Sequence, residues 1–184
     1  MAHAPTPDTL GDSVFVTNVA LGEYDVRGAL LVGDTRAVVW DTLSHPRDMA
    51  GWLPLIGGRD LVVVYSHADW DHIWGTAGLP LRRATIVGQR ECQARFTDDV
   101  PRTHRDRQLA EPGAWEQVLL VAPDAVFDAE TTVDLVVHRD RVRRPVQLAE
   151  RDALVRERAK SGVVVIATND PTEAGPAAER IKLG

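Results

Sequence analysis

Short runs of apolar residues, bounded by polar or turn-forming residues, divide most of the chain into strands. Their β-branched and aliphatic content predicts strands over residues 14–19, 28–32, 36–42, 61–65, 84–88, 131–137 and 162–168. Gly33 and Asp34 separate the second and third runs and predict a hairpin turn. Residues 1–12 predict a loose lead-in, and residues 122–130 predict a turn-rich connector.

Helical spacing appears between these runs. Met49, Trp52, Leu53 and Ile56 share one face of a predicted helix over residues 46–56. Further predicted helices cover residues 73–78, 89–96 and 147–160. Within the charged segment 97–120, the basic run 102–107, which includes His104, predicts a solvated face, with contact to an anionic substrate through Arg102, Arg105 and Arg107 as the alternative. Because a helix connects two strands around residue 50, the order predicts an α/β sheet.

A dense polar cluster follows the buried run 61–65. Within six residues the chain places the imidazoles of His67 and His72 and the carboxylates of Asp69 and Asp71. Imidazole and carboxylate groups bind metal ions and move protons, so the cluster predicts a metal site at the end of a buried strand. In the alternative interpretation, Asp69 or Asp71 caps a helix that begins near residue 73.

Composition limits the class of protein. The 184 residues, 44% of them hydrophobic and 26% charged, suit a single domain over 1–184. A net charge of −6 argues against a sequence-independent nucleic-acid surface, and no apolar run approaches the roughly 20 residues of a membrane span. The start of the chain lacks the pattern of a signal peptide. Cys92 is a single cysteine, which predicts a reducing compartment and a cytoplasmic location.

The polar cluster resembles the metal-binding loop of the metallo-β-lactamase superfamily, whose pattern is His-x-His-x-Asp-His after a strand. The pattern falls on His67, Asp69, Asp71 and His72, with aspartate in place of the second histidine. Aspartate is still an oxygen ligand for zinc, manganese or iron. Asp41, followed by Thr42, resembles the Asp-Thr that lies beneath the metal site in the family.

The resemblance is good over residues 13–130, weak over 147–171 and missing between, so residues 131–184 are divergent or shortened. It implies an αββα metallo-β-lactamase-like sandwich that is incomplete in its C-terminal half. Gln89 and Asn169 stand where the family often has histidine, and no Gly-Asp follows residue 138. His138 is the best candidate for a further ligand, its alternative being a surface histidine among arginines; His45 is a second candidate.

The function implied by the resemblance is metal-dependent hydrolysis. One or two zinc ions, or manganese or iron, would be held by His67 with Asp69 and by Asp71 with His72, and Asp71 would also be catalytic. A metal-bound hydroxide would attack an ester, thioester, lactone or phosphoester of a small molecule. Two alternatives remain: a degenerate relative that serves as a binding or structural protein, and a non-hydrolytic α/β protein. A homodimer, which would supply missing ligands, is a further expectation.

Overall fold

The computed structural model describes residues 4–135 and the strand 163–168. In this part of the chain the strands are β1 (Asp8–Gly11), β2 (Val14–Ala20), β3 (Asp25–Val32), β4 (Arg36–Trp40), β5 (Asp60–Tyr65), β6 (Ala84–Gln89), β7 (Ala125–Phe127), β8 (Glu130–Leu135) and β9 (Val163–Thr168). The α-helices are α1 (Leu53–Ile56), α2 (Trp70–Ile73), α3 (Arg90–Arg95) and α4 (Asp99–Ala110). Short 3-10 helices cover Pro46–Met49, Trp74–Gly78 and Leu81–Arg83.

The first seven strands form one mixed sheet in the order of the sequence. Strands β1 to β4 pair antiparallel, whereas β4, β5, β6 and β7 pair parallel. The change of direction follows from the connections, because β3 and β4 are joined by a tight turn while β4 and β5 are joined through helical segments. Strands β8 and β9 form a separate antiparallel pair.

The two faces of the large sheet carry separate apolar clusters. On one face, residues of the central strands pack with helical residues such as Trp52, Ile56 and Trp74. On the other face, Leu31, Val38, Val64 and Val87 pack with Val133 and Leu135 of β8. Burial on both faces explains why the central strands are continuous apolar runs rather than alternating ones.

The structure corrects several predictions about elements. The predicted helix 46–56 is two short segments, because Gly51 lies at the break and Pro54, in the first turn of α1, has no backbone N–H to continue the earlier segment. The predicted lead-in contains β1, and the predicted connector contains β7. The charged segment 97–120, for which no helix was predicted, contains the twelve-residue helix α4, whose Pro101 lies in the first turn, where proline is tolerated.

The other predicted strands that fall on described residues are present. The helix expected near residue 73 begins earlier, at Trp70. The predicted helix 147–160 and the candidate ligand His138 lie outside the described residues. No helix within the described ranges has the length and apolar character needed to cross a membrane.

Candidate metal site

The site lies where the carboxyl ends of two neighbouring parallel strands meet. Asp41 follows β4, and the loop from Ser66 to Asp69 follows β5 and leads into α2. Because β4 and β5 are parallel neighbours, the residues after them meet at the same edge of the sheet. This arrangement brings Asp41 to the loop across 25 residues of sequence.

Asp41 is the buried anchor of the site. Its side chain accepts hydrogen bonds from the backbone N–H of Ser66 at 2.8 Å and from the Ser66 hydroxyl at 2.6 Å. The Asp41 Oδ2 atom lies 2.9 Å from His72 Nδ1. The Asp41 backbone has a φ of 56°. Aspartate tolerates this left-handed conformation better than most residues, and such strained positions cluster at functional sites.

His72 is oriented by this carboxylate. With Nδ1 on Asp41, the ring turns Nε2 toward Asp71, whose Oδ2 atom is 3.8 Å away. Burial by itself would lower the pKa of His72, but the hydrogen bond and negative charge of Asp41, together with the charge of Asp71, outweigh it. The net pKa of His72 is therefore raised.

His67, in the loop before α2, has a similar orientation. Its Nδ1 atom lies 2.8 Å from the Ser66 hydroxyl, and its Nε2 atom lies 3.3 Å from Asp69 Oδ2. The rings of His67 and His72 are close, with centroids 4.1 Å apart. In both imidazoles Nδ1 thus lies within hydrogen-bond distance of Ser66 or Asp41, and Nε2 faces a carboxylate.

The two loop aspartates have different neighbours. Asp71 is buried and accepts a hydrogen bond from the Tyr24 hydroxyl, which reaches it from the turn between β2 and β3. Burial and this carboxylate raise the pKa of Tyr24. Asp69 is half-exposed, and its Oδ1 atom accepts a hydrogen bond from Arg95 at 2.8 Å.

Asp69 stands at the N-cap position of α2, but its side chain makes no capping hydrogen bond. Asp71 lies inside the first turn of that helix. The interpretation that Asp69 merely caps the helix is therefore wrong, because its carboxylate binds Arg95 and faces His67 instead.

A buried network of hydrogen bonds between hydroxyl groups supports the polar loop. The Thr42 backbone N–H donates to the His72 carbonyl at 2.7 Å, and the Thr42 hydroxyl lies 2.8 Å from the Thr76 hydroxyl. Tyr65 places its hydroxyl 2.7 Å from the same Thr76 oxygen and donates to the Val121 carbonyl. These buried bonds fix the ends of β4 and β5 and the α2 segment relative to one another.

Aromatic side chains form one wall beside the loop. Trp70, Trp74 and Trp115 contact one another, with ring centroids between 5.2 and 5.6 Å apart. Arg107 of α4 lies 3.6 Å above the Trp70 ring, and His104 packs its edge against Trp74. The predicted solvated face of residues 102–107 is thus wrong for His104 and Arg107, because they lie one turn apart on the side of α4 that packs against these rings.

Part of the chain matches a known protein family. A model of the metallo-beta-lactamase superfamily matches residues 26–91, the segment that holds Asp41 and the whole polar loop. The match covers about a third of the chain, so it shows a likeness of this segment to the superfamily. The resemblance predicted from the loop is confirmed. No curated protein matches the chain.

A solved metallo-beta-lactamase shares the fold. The enzyme from Pontibacter korlensis has a TM-score of 0.53 at 14% identity, covering 71% of this chain and 56% of that one. FIM-1 from Pseudomonas aeruginosa, solved in a mono-zinc form, has a TM-score of 0.44 at 16% identity, covering 53% and 46%. The first likeness confirms the predicted α/β metallo-β-lactamase-like fold. The chain spans about half the length of these structures.

The residues present fit a metal in part. Both histidines aim Nε2 at carboxylates with Nδ1 held, the orientation that metal-binding histidines usually have. However, within residues 4–135 and 163–168 no three His, Cys, Asp or Glu side chains are grouped closely enough to hold an ion. Among the described residues, Asp41 and Ser66 thus orient the two histidines, but the set of side chains that could hold a metal ion is incomplete.

Other candidate residues serve structural roles. His45 accepts a hydrogen bond from the Arg47 N–H at Nδ1 and donates to the backbone of Ala114, so both ring nitrogens are used. Gln89 accepts from the Glu91 N–H and donates to the Asp128 carbonyl. Cys92 is buried, and desolvation raises its thiol pKa to about 11, as expected for an inert packing residue.

The sequence interpretation missed Tyr24, Arg95 and the way Arg107 is used. Tyr24 lies in a hairpin turn and Arg95 lies at the end of a short charged helix, so neither has a local pattern that points to the site. Their contacts depend on the sheet order and on how α3 and α4 pack, which a single sequence does not display.

Proposed function

We propose that this chain is a metal-dependent hydrolase of the metallo-beta-lactamase superfamily. The match of residues 26–91 supports this activity at the level of the superfamily. The observation that carries the proposal is the shared orientation of His67 and His72, which hold Nδ1 on Ser66 and Asp41 and leave Nε2 facing Asp69 and Asp71. A merely structural loop has no need to present two imidazole nitrogens to carboxylates in this way.

The residues of the chain have distinct roles in this proposal. A zinc, manganese or iron ion held by His67 with Asp69 or by Asp71 with His72 would supply a water of lowered pKa as the nucleophile. Asp41 fixes the orientation of His72 and strengthens it as a ligand. Tyr24 holds Asp71 through a hydrogen bond from its hydroxyl. The Trp70 and Trp74 rings exclude water on one side, which strengthens electrostatic interactions within the site.

The substrate is proposed at the level of chemistry, as a small-molecule ester, thioester, lactone or phosphoester. The His138 ligand, a cytoplasmic location, the lack of nucleic-acid and membrane partners and a homodimer remain predictions that belong with this proposal.

A second candidate is a degenerate relative that has lost hydrolysis and acts as a binding or structural protein. Two observations favour it: Asp69 is paired with Arg95, and the described residues do not complete a group of three ligands.

Metal content per chain separates the two candidates. The protein is stripped, reloaded with zinc, manganese or iron, and dialysed, and the wild type is compared with His72→Ala. His104→Ala is the control, since it also removes a histidine but one that packs on Trp74. We expect bound metal in the wild type and in His104→Ala, a clear loss in His72→Ala, and hydrolysis of at least one ester, thioester, lactone or phosphoester. Wild-type protein without metal would support the degenerate relative.

A further inference from the structure

The half-exposed carboxylate of Asp69 is already fully engaged within the protein. Its Oδ1 atom accepts a hydrogen bond from Arg95 Nη1 at 2.8 Å, and its Oδ2 atom lies 3.3 Å from His67 Nε2. Asp69 is also the position at which this chain has aspartate where the superfamily pattern has histidine. The departure from the pattern and the arginine contact therefore fall on the same side chain.

Arg95 is held rigidly in this position. On its other edge, its Nε and Nη2 atoms contact Asp99 Oδ2 at 2.8 and 2.7 Å. The guanidinium group is planar and remains charged at any pH at which the protein folds. Because Asp99 anchors two of its nitrogens, the remaining nitrogen is directed at Asp69 without further loss of side-chain freedom.

From this geometry we propose that the Arg95 guanidinium forms an ion pair with the Asp69 carboxylate and takes the place of a metal ion there. Asp69 is therefore not a metal ligand in this chain, and any metal depends on Asp71 and His72, which no arginine contacts in the described structure. The inference rests on the proposed function and deepens it, since it replaces a two-ion centre with one ion and a fixed protein cation. Charge-assisted bonds between arginine and carboxylate are among the strongest hydrogen bonds, so a metal ion would have to displace one to reach Asp69.

The first test compares the two loop aspartates. Zinc content is measured for the wild type, Asp69→Asn and Asp71→Asn after equilibration with the same buffered free zinc concentration. The expected result is that Asp69→Asn keeps the wild-type zinc content, whereas Asp71→Asn loses most of it. A loss in Asp69→Asn equal to the loss in Asp71→Asn overturns the inference.

The second test removes the protein cation. Arg95→Met removes the guanidinium that pairs with the Asp69 carboxylate. The variant protein is therefore expected to bind more zinc than the wild type at the same free zinc concentration. Arg90→Met is the matched control, because Arg90 lies on the same helix but pairs with Asp128 instead. Far-ultraviolet circular dichroism and the thermal midpoint establish that both variants are folded. Unchanged zinc content in Arg95→Met overturns the inference.

The two hypotheses fail in different ways. If the wild type binds no zinc and His72→Ala is no different, the proposed hydrolase is wrong. The Arg95→Met variant still decides the further inference in that case, because a gain of zinc supports a blocking arginine and no gain excludes it.

Discussion

At the scale of single residues, Asp41 links the end of β4 to the residues of the candidate metal site. It is buried, has a left-handed backbone, and binds Ser66 and His72 through one carboxylate. A buried carboxylate is costly unless its oxygens are fully hydrogen-bonded, and this one has three partners. The loop that follows β5 therefore has its position fixed by a residue that follows β4.

The raised pKa of His72 makes the effect of Asp41 depend on pH. A histidine whose pKa is raised on folding contributes stability that is present below its unfolded pKa of about 6.5 and lost as pH rises through the folded pKa. We expect metal-free Asp41→Asn to be less stable than the wild type by about 1.5–3 kcal/mol near pH 5.5, the usual value of a hydrogen bond to a charged group. Urea unfolding measures the difference, which should shrink toward about pH 8.5.

The control for this prediction is the same substitution in a His72→Gln background. Asparagine also tolerates a positive φ, so the backbone at position 41 is expected to persist. Without the histidine, the cost of Asp41→Asn should no longer change over this pH range. A cost that still falls with rising pH in that background would mean that another group causes it.

At the scale of elements, the 3-10 helix Trp74–Gly78 approaches the loop after β4 very closely. A Cβ atom at Gly75 would meet the backbone of Thr42 and the carbonyl oxygen of His45. Backbone atoms cannot move aside as the end of a flexible side chain can. The absence of a side chain at Gly75 therefore lets α2, which carries His72, lie close to Asp41.

We expect Gly75→Ala to destabilise the protein by about 1–3 kcal/mol or more through overpacking, and to weaken metal binding by moving His72 away from Asp41. Urea unfolding and zinc titration measure the two effects. Gly11→Ala is the control, because nothing lies within 4 Å of its Cβ position. Equal stability of the two variants would contradict the close approach.

Helix α4 packs against the tryptophan side chains beside the polar loop. Arg107 lies 3.6 Å above Trp70 and 5.8 Å from the Trp115 ring. Cation–π contacts of this kind are worth about 0.5–2 kcal/mol. We expect Arg107→Gln to lose this amount in urea unfolding and to change the tryptophan emission. Arg105→Gln, which alters an exposed residue of the same helix, should leave both unchanged; an equal loss in both variants would assign the effect to net charge.

The sequence predicted elements well where the pattern was set locally. The hairpin at Gly33, the buried run 61–65 and the helix after Gln89 each have adjacent signals and are present. Strand β1 and helix α4 were missed because their residues are mostly polar and gain order from neighbours. In the site, the loop itself was visible, whereas Tyr24 and Arg95 reach it only through the packing of distant segments.

At the scale of the whole molecule, the large sheet is covered on both faces. The helices cover one face, and β8 brings Val133 and Leu135 onto the other face beside Val38 and Val64. Leu135 lies far from Val38 and Val64 in the sequence, yet it packs in the same cluster and has only 1% of its surface exposed. The edge of the sheet that carries the candidate site is thus packed on both faces. This packing keeps β4 and β5 in the register that brings Asp41 to the loop.

Leu135→Ala tests whether this second layer stabilises the site. Truncating a buried leucine usually costs about 2–5 kcal/mol through lost burial and the cavity left behind. We expect a loss of this size in urea unfolding, together with weaker zinc binding if the second layer holds the sheet edge. Leu109→Ala is the matched control, because Leu109 is 74% exposed and its truncation creates no cavity. A Leu135→Ala variant as stable as Leu109→Ala would show that β8 does not pack on the sheet in solution. A destabilised variant with unchanged zinc affinity would show that the loop is held by β4 and β5 alone.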